Sequence, residues 1–282
     1  MIPSTVRTTP ERRATRPRVL SLLRGRLSAA PGEPLPRLPG DLSIGSYNVH
    51  KCVGTDRRFD PARVGEVIAE LDVDILALQE VDRRFGHRVG LLDMVGIERR
   101  TGLRHVPLSN VPLGQGWHGN ALMLRTGEVT RLHRLTLPGG EPRGAAVADL
   151  RLPTGPLRVV SAHFGLLRRH RARQVAAILE TLEAADDMPT VILGDLNEWR
   201  PGRRSSLLAL EGRFEGVRPD HATFPSRLPL LPLDRILGRP YGLVEMVRAH
   251  DTPLARVASD HLPLKARLRL AAVHGAALPE AA

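Results

Sequence analysis

The stretch VILGDLNEWR (191–200) carries an apolar run straight into an acid and an amide two positions apart. A buried strand that ends in Asp195 and Asn197 raises the question of what those side chains face. Side chains at i and i+2 of an extended segment point to the same side. The spacing therefore predicts that Asp195 and Asn197 meet one ligand together.

The same pattern, an apolar run closing on polar residues, recurs along the chain. It appears as Asn48 and His50 in SYNVH, Gln79 and Glu80 in LALQEVD, and Asn120 in HGNALM. It appears again as His163 in VVSAHF, Asp234 in PLDRIL, and Asp260 with His261 in ASDHLPL. Positions just beyond rigid elements are where sites are usually built, so seven such ends predict convergence on one rim. Each alone has a plain structural reading. Asn48 can close a turn, Glu80 and Asp82 can be solvated, and His163 can be a hydrogen-bonded core histidine. His87, His105, His118, His133, His170, His221 and His250 show no partner in the sequence and are read as structural.

Between these ends, hydrophobic periodicity predicts strands over 42–48 and 75–79, and a helix over 60–71 with Pro61 in its first turn. Short apolar runs follow at 103–108, 119–124, 144–150 and 157–163. A long helix is predicted over 168–185, because Val175, Ile178, Leu179 and Leu182 recur at helical spacing. Strands at 191–193, 233–237, 244–247 and 262–268 complete the set. Strands outnumber helices and the middle is spaced like hairpins, which predicts an α/β sandwich of two packed sheets with helices outside. Pro31, Pro34, Pro36 and Pro39 with Gly32 and Gly40 form a linker, so residues 1–40 are read as a disordered basic leader and linker. The domain is expected over 41–270, with a frayed tail over 271–282.

Composition narrows the classes. The single cysteine, Cys52, excludes an intramolecular disulfide and a cysteine-based zinc site, and is read as a packing residue. The net charge of +11 suggests nucleic acid, but more than half of it lies in residues 1–40, where eight arginines face only Glu11 and Glu33. No run of about 18 apolar residues is present, so no transmembrane helix is expected. The segment VLSLLRGRLSAA is interrupted by Arg24 and Arg26 and is no signal-peptide core. A short basic amphipathic helix there would touch the inner face of a membrane, and the chain is otherwise expected to be a cytoplasmic monomer.

The succession SYNVHKC, LALQEVD, GNALMLR, SAHFG, VILGDLNEW, LDRIL and SDHLPL resembles the endonuclease/exonuclease/phosphatase superfamily. These metal-dependent phosphoesterases include DNase I, abasic-site nucleases of the exonuclease III type, neutral sphingomyelinases and inositol polyphosphate 5-phosphatases. The resemblance covers about 42–268 and is nearest to bacterial proteins whose first motif reads YNVHK. It implies a DNase I-like, four-layer α/β/β/α sandwich.

It also implies roles for residues. Glu80 matches the family's metal-binding glutamate, with Asn48 beside it as ligand or phosphate contact and Asp260 close to the metal. Asp195 matches the aspartate that orients or deprotonates water, and Asn197 the amide that bonds the phosphate. His261, oriented by Asp234, matches the histidine at the scissile phosphate. His163 matches the second histidine of the DNase I and sphingomyelinase branches. Oxygen ligands without thiolates favour a hard cation, Mg²⁺ or Mn²⁺. Arg143 in EPRGAAV lies where some relatives reach a phosphate, whereas Trp199 is expected to pack.

Departures from the pattern matter equally. His50 stands where the abasic-site nucleases carry an acid, and LPLDRILGR lacks the Trp and Cys of the inositol phosphatases, so neither specialised substrate is supported. The leading expectation is a Mg²⁺-dependent phosphoesterase, with nuclease slightly favoured because Arg168, Arg169, Arg171 and Arg173 are expected to line a groove. The alternatives are a membrane-associated phospholipid, phosphoinositide or sphingomyelin phosphodiesterase, and a non-catalytic binding module. A zinc hydrolase is disfavoured because no paired-histidine spacing lies near the acids.

Overall fold

Every side chain of LSIGSYN is buried, which requires that both faces of this strand be covered. β1 (Leu42–Asn48) pairs in parallel with β2 (Ile75–Gln79) and antiparallel with β11 (Leu264–Leu268). β10 (Val244–Ala249), β4 (Ala121–Leu124) and the short β3 (Arg104–Val106) extend this sheet to the order β10-β11-β1-β2-β4-β3. The second sheet runs β5 (Glu128–Leu137), β6 (Arg143–Leu152), β7 (Gly155–His163), β8 (Thr190–Asp195) and β9 (Asp234–Arg239). The computed structural model describes residues 40–83, 87–216, 221–270 and 273. The expected leader before residue 40 and the tail beyond 270, residue 273 apart, lie outside the described residues.

Alternation along the strands sorts side chains into two layers of core. Val191 and Leu193 of β8, with Val159 and Ile236 of the neighbouring strands, face the other sheet and meet Ile44 and Leu122 there. Ile192, one residue off, faces away and packs under the long helix α3 (Arg168–Glu183) with Val175, Ile178 and Leu182. On the far side of the first sheet, Leu76 and Leu78 meet Val64, Ile68 and Leu71 of α1 (Pro61–Leu71) and Ile97 of α2 (Met94–Thr101). The result is the expected four-layer α/β/β/α sandwich. α1 starts where Asp60 accepts a hydrogen bond from the Arg63 amide at 3.0 Å, with Pro61 at a first-turn position that needs no donor. A one-turn helix, α4 (Ala255–Ala258), precedes the loop to β11.

Two parallel pairs fix the geometry of the rim. Register places Asn48 beside Gln79, His163 beside Asp195, and Asp195 beside Asp234 on the antiparallel β9. The close approach of β7 and β8 depends on Gly194, at φ +143°, where a Cβ would lie 1.8 Å from the Ala162 carbonyl oxygen. A glycine is required there by space and backbone alike. Three elements escape the periodicity reading: β5, α2 and α4. β5 is an edge strand, EVTRLHRLTL, largely exposed and carrying two arginines, so its pattern lacks a continuous apolar face.

Candidate active site

Asp195, at the last position of β8, is the hub. Its Oδ2 accepts a hydrogen bond from Asn48 Nδ2 at 3.0 Å, lies 3.4 Å from His163 Nε2, and is 3.8 Å from His261 Nε2. Its Oδ1 accepts from the Asn197 amide at 3.0 Å. His261 Nδ1 bonds Asp234 Oδ2 at 2.8 Å, and Thr223 Oγ1 donates to the same oxygen at 2.6 Å. All four groups, Asp195, His163, Asp234 and His261, are buried.

Burial and charge set their protonation. Burial, with Asp234 nearby, raises Asp195 to about 6 even though the His261 charge and the Asn197 and Asn48 hydrogen bonds pull it down. Burial works against a charged imidazole at His261, but Asp234 and Asp195 outweigh it and hold the group up to about 10. At neutral pH the centre is therefore an imidazolium beside a carboxylate that can still take up a proton.

Ser259 ties the loop of His261 to the first sheet. Its Oγ donates to the Asn48 carbonyl at 2.7 Å and accepts from the His261 amide at 3.2 Å. Asn48 Oδ1 accepts from the His50 amide at 3.0 Å, so both ends of this amide are fixed. Arg143, first residue of β6, places Nη1 within 2.9 Å of both ring nitrogens of His163 while Glu141 receives its Nη2 at 2.8 Å. The structure brings Asn48, His163, Arg143, Asp195, Asp234 and His261 together on one rim.

Several expectations need correction. The extended run stops at Asp195, and Asn197 adopts φ +51°, so the two do not share a strand face. Asn197 reaches the rim through a turn instead, with its Nδ2 donating to the Phe164 carbonyl at 3.0 Å. Not all seven strand ends converge on chemistry. Gln79 is buried against Ser46, and Asn120 Nδ2 donates to the Trp117 and Gly144 carbonyls at 3.0 Å, closing a turn. Arg171 cannot line a groove: it is buried, bonded to Glu198, Ser206 and the Leu166 carbonyl, whereas Arg168, Arg169 and Arg173 are exposed. Trp199 does not pack in the core but stands 46% exposed, with the Arg200 guanidinium 4.7 Å from its ring. Among the histidines read as partnerless, His250 meets Glu70 at 3.0 Å, His105 the Gln115 carbonyl at 2.7 Å, and His118 the Arg88 guanidinium at 3.3 Å.

Two donor sets fit a cation. Glu80, just after β2 at φ +60°, has a buried Oε2 whose charge is met by Lys51 Nζ and by no hydrogen bond. With Asn48 and the half-exposed Asp260 it offers oxygen donors only, which suits a hard divalent ion. Asp195, Asp234 and His261 also bring ligand atoms within 4.8 Å of one another. There, however, His261 Nδ1 bonds Asp234, and the neighbouring acids hold the ring protonated, so Nε2 carries a hydrogen rather than a lone pair for an ion. On donor chemistry the Glu80 set suits a hard cation better.

Thr223, Ser259 and Lys51 are partners that sequence reasoning missed. Thr223 and Ser259 are hydroxyls with no motif of their own. Lys51 carried a signal, as one of only two lysines in the chain.

A two-sheet α/β sandwich with a buried aspartate and two histidines on its rim, one of them backed by an acid, defines a class of hydrolytic phosphoesterases. The model of the Endonuclease/Exonuclease/phosphatase family matches residues 45–261, and the chain belongs to that family. Its members are hydrolases acting on phosphate esters and generally use a divalent metal. The chain is 30% identical over 246 residues to the uncharacterized protein YbhP of Escherichia coli strain K12, covering 80% of this chain and 95% of that one. Among solved structures it resembles the endonuclease/exonuclease/phosphatase from Bacteroides vulgatus, at TM-score 0.64 and 19% identity, over 81% of this chain and 98% of that one. It also resembles D. rerio TDP2 complexed with single strand DNA product, at TM-score 0.60 and 16% identity, over 80% and 98%. At these identities the structural likeness establishes the fold.

Proposed function

We propose that the protein is a Mg²⁺- or Mn²⁺-dependent phosphoesterase that hydrolyses a phosphodiester by direct attack of water, with nucleic acid the favoured substrate. The observation that carries this reading is the placing of Asp195 Oδ2 within 3.0 Å of Asn48, 3.4 Å of His163 and 3.8 Å of His261, itself backed by Asp234. Hydrolysis of a phosphate ester needs a base for the water and fixed positive charge on the phosphoryl oxygens. Asp195 is the base, aligned by Asn48 and the Asn197 amide. The His261 imidazolium donates from Nε2 to a phosphoryl oxygen while Asp234 and Thr223 keep its ring in place. Arg143, set against His163, supplies a second cationic edge. A divalent ion held by Glu80, Asn48 and Asp260 would neutralise phosphoryl charge as a Lewis acid.

The exposed Arg168, Arg169 and Arg173 and the exposed Trp199 favour a nucleic-acid chain, through phosphate contact and base stacking. The DNA product of D. rerio TDP2 supports the same direction. The reading takes the protein to act as a monomer. No helix among the described residues is long and apolar enough to cross a membrane. The phospholipid reading depends on residues 1–40, and no observation among the described residues favours it.

The test is hydrolysis of plasmid DNA, RNA, bis-p-nitrophenyl phosphate, phosphatidylinositol phosphates and sphingomyelin, with Mg²⁺ or EDTA. Metal-dependent turnover that falls by about 10³-fold or more in both Asp195→Asn and His261→Ala supports the reading. Full activity in Asp195→Asn, or turnover insensitive to EDTA, rejects it.

A further inference from the structure

Beside the catalytic residues lies a small open pocket of about 50 Å³. It shares Lys51, Glu80, Arg143 and His163 with the site just described, and among the lining residues that the hydrolytic mechanism does not use are Arg83, Arg88 and His118. Their charge is what sets the pocket apart. Lys51 is met by Glu80 and Arg143 by Glu141. Among the described residues, neither Arg83 nor Arg88 has a carboxylate partner at ion-pair distance. The remaining acid of the pocket, Asp82, turns both oxygens onto loop amides, accepting from Gln115 at 2.8 Å and Gly116 at 3.0 Å. Among the described residues the pocket therefore presents two guanidinium groups that no carboxylate holds in a salt bridge, with Asp82 acting on Arg88 only through its longer-range charge.

Arg88 is also held in place. Its Nη1 lies 3.3 Å from His118 Nδ1. Burial, and then the charge of Arg88, keep His118 below the usual imidazole range, so the ring is neutral and accepts from the guanidinium. His118 adopts φ +49° and stacks edge-on against Trp117 with ring centroids 4.7 Å apart. A Cβ on Gly144 would sit 2.8 Å from His118 Cδ2, so the imidazole occupies space that β6 leaves open for it. A left-handed backbone, a committed ring and a cleared space all serve to aim one arginine into the pocket, and such strain gathers at ligand clamps.

We infer that Arg88, held by His118 and assisted by Arg83, binds a second phosphate group of the substrate next to the one that is hydrolysed. This deepens the phosphoesterase reading and rests on it for the first phosphate. A guanidinium fork that no carboxylate occupies selects a phosphate through paired hydrogen bonds. The pocket is continuous with Glu80 and His163, so one ligand can reach both places. The second phosphate is either the neighbouring link of a nucleotide chain or the other end of a small bisphosphorylated molecule.

The experiment is calorimetric binding to the full chain with Mg²⁺, using the Asp195→Asn protein so that no turnover is required. One arm compares thymidine 3′,5′-bisphosphate with the two thymidine monophosphates. The other compares fructose 1,6-bisphosphate with fructose 6-phosphate. The inference expects at least about tenfold tighter binding of the bisphosphate in one arm, which names the source. Arg88→Ala, introduced into the same protein, should reduce that preference to about twofold, and Arg88→Lys should leave it intermediate, since charge stays while the fork is lost. Circular dichroism and thermal melting establish that the variants fold, and His118→Ala provides an independent way to release Arg88.

Equal binding of mono- and bisphosphates in both arms overturns the inference, as does a preference that survives Arg88→Ala in a folded protein. A bisphosphate preference in a wild-type protein that hydrolyses nothing would reject the phosphoesterase reading and leave the second subsite standing. Hydrolysis without the preference would do the reverse.

Discussion

Asn48 Nδ2 donates to Asp195 Oδ2 across 3.0 Å, and this bond joins the end of a strand in one sheet to the end of a strand in the other. The catalytic rim is thus assembled across the interface between the two layers. Loss of the amide frees Asp195 to turn and removes a donor that keeps its carboxylate ionised. Asn48→Ala is expected to lower kcat by about 10²-fold or more with a smaller effect on stability. Steady-state kinetics beside a thermal melt separate the two, and unchanged kcat would refute the positioning role.

The pH dependence follows from the two central groups. Asp195, raised to about 6 by burial, must lose its proton to act as base, so activity rises with pH through that region. His261, held up to about 10 chiefly by Asp234 and Asp195 against burial, must keep its proton, so activity falls again through that region. The expected profile of kcat/KM is a bell with a broad top. Asp234→Asn should move the descending limb to lower pH. A descending limb that stays in place would show that it belongs to another group.

Lys51 sets its ammonium against Glu80 Oε2, the oxygen that a cation held by Glu80 would use. Removing that competing charge should tighten metal binding in the absence of substrate. Lys51→Met is expected to lower the Kd for Mg²⁺ by roughly fivefold to tenfold, measured by titration calorimetry. Weaker binding in the variant would place the ion elsewhere, with Asp195, Asp234 and His261 the next set to test.

Arg171 and Glu198 form a buried ion pair at 3.1 Å, each 1% exposed, with Ser206 completing the shell of the carboxylate. Ser206, Arg200 and Arg171 hold the Glu198 carboxyl below its usual range although burial pushes the other way. A carboxyl depressed in the folded state contributes stability above its unfolded value, and that stability is lost as pH falls through the folded one. Arg171→Ala leaves the acid buried and alone, so a loss of about 3 kcal/mol in unfolding free energy is expected from denaturant titration at neutral pH. Glu198 anchors the turn that carries Trp199, so the same variant should weaken substrate binding if that ring stacks.

Much of the fold could be read from the order of apolar runs. The strands over 42–48 and 75–79 are fully buried and their residues speak plainly in one dimension. The edge strand β5 was silent, because a strand with one wet face and scattered arginines has the composition of a loop. The site divides in the same way. Asp195, His261 and Asp234 were legible through their motifs, since chemistry restricts the residue types. Thr223 and Ser259 were not, because a hydroxyl that orients a neighbour carries no local signature. Arg171 was misread for a physical reason: an arginine near the start of a helix looks solvated until Glu198, 27 residues on, is brought against it.

Gly194 closes this account from another side. With no room for even a methyl group before the Ala162 carbonyl, the position immediately ahead of Asp195 tolerates no other residue without moving β7 or β8. The apolar neighbours can be exchanged one for another with small losses, so the core around the site has latitude. Gly194 has none, and it lies next to Asp195. In a lineage drifting under weak selection, change at 194 is expected to displace Asp195 and cost activity, so another residue there marks a scaffold whose chemistry has been disturbed.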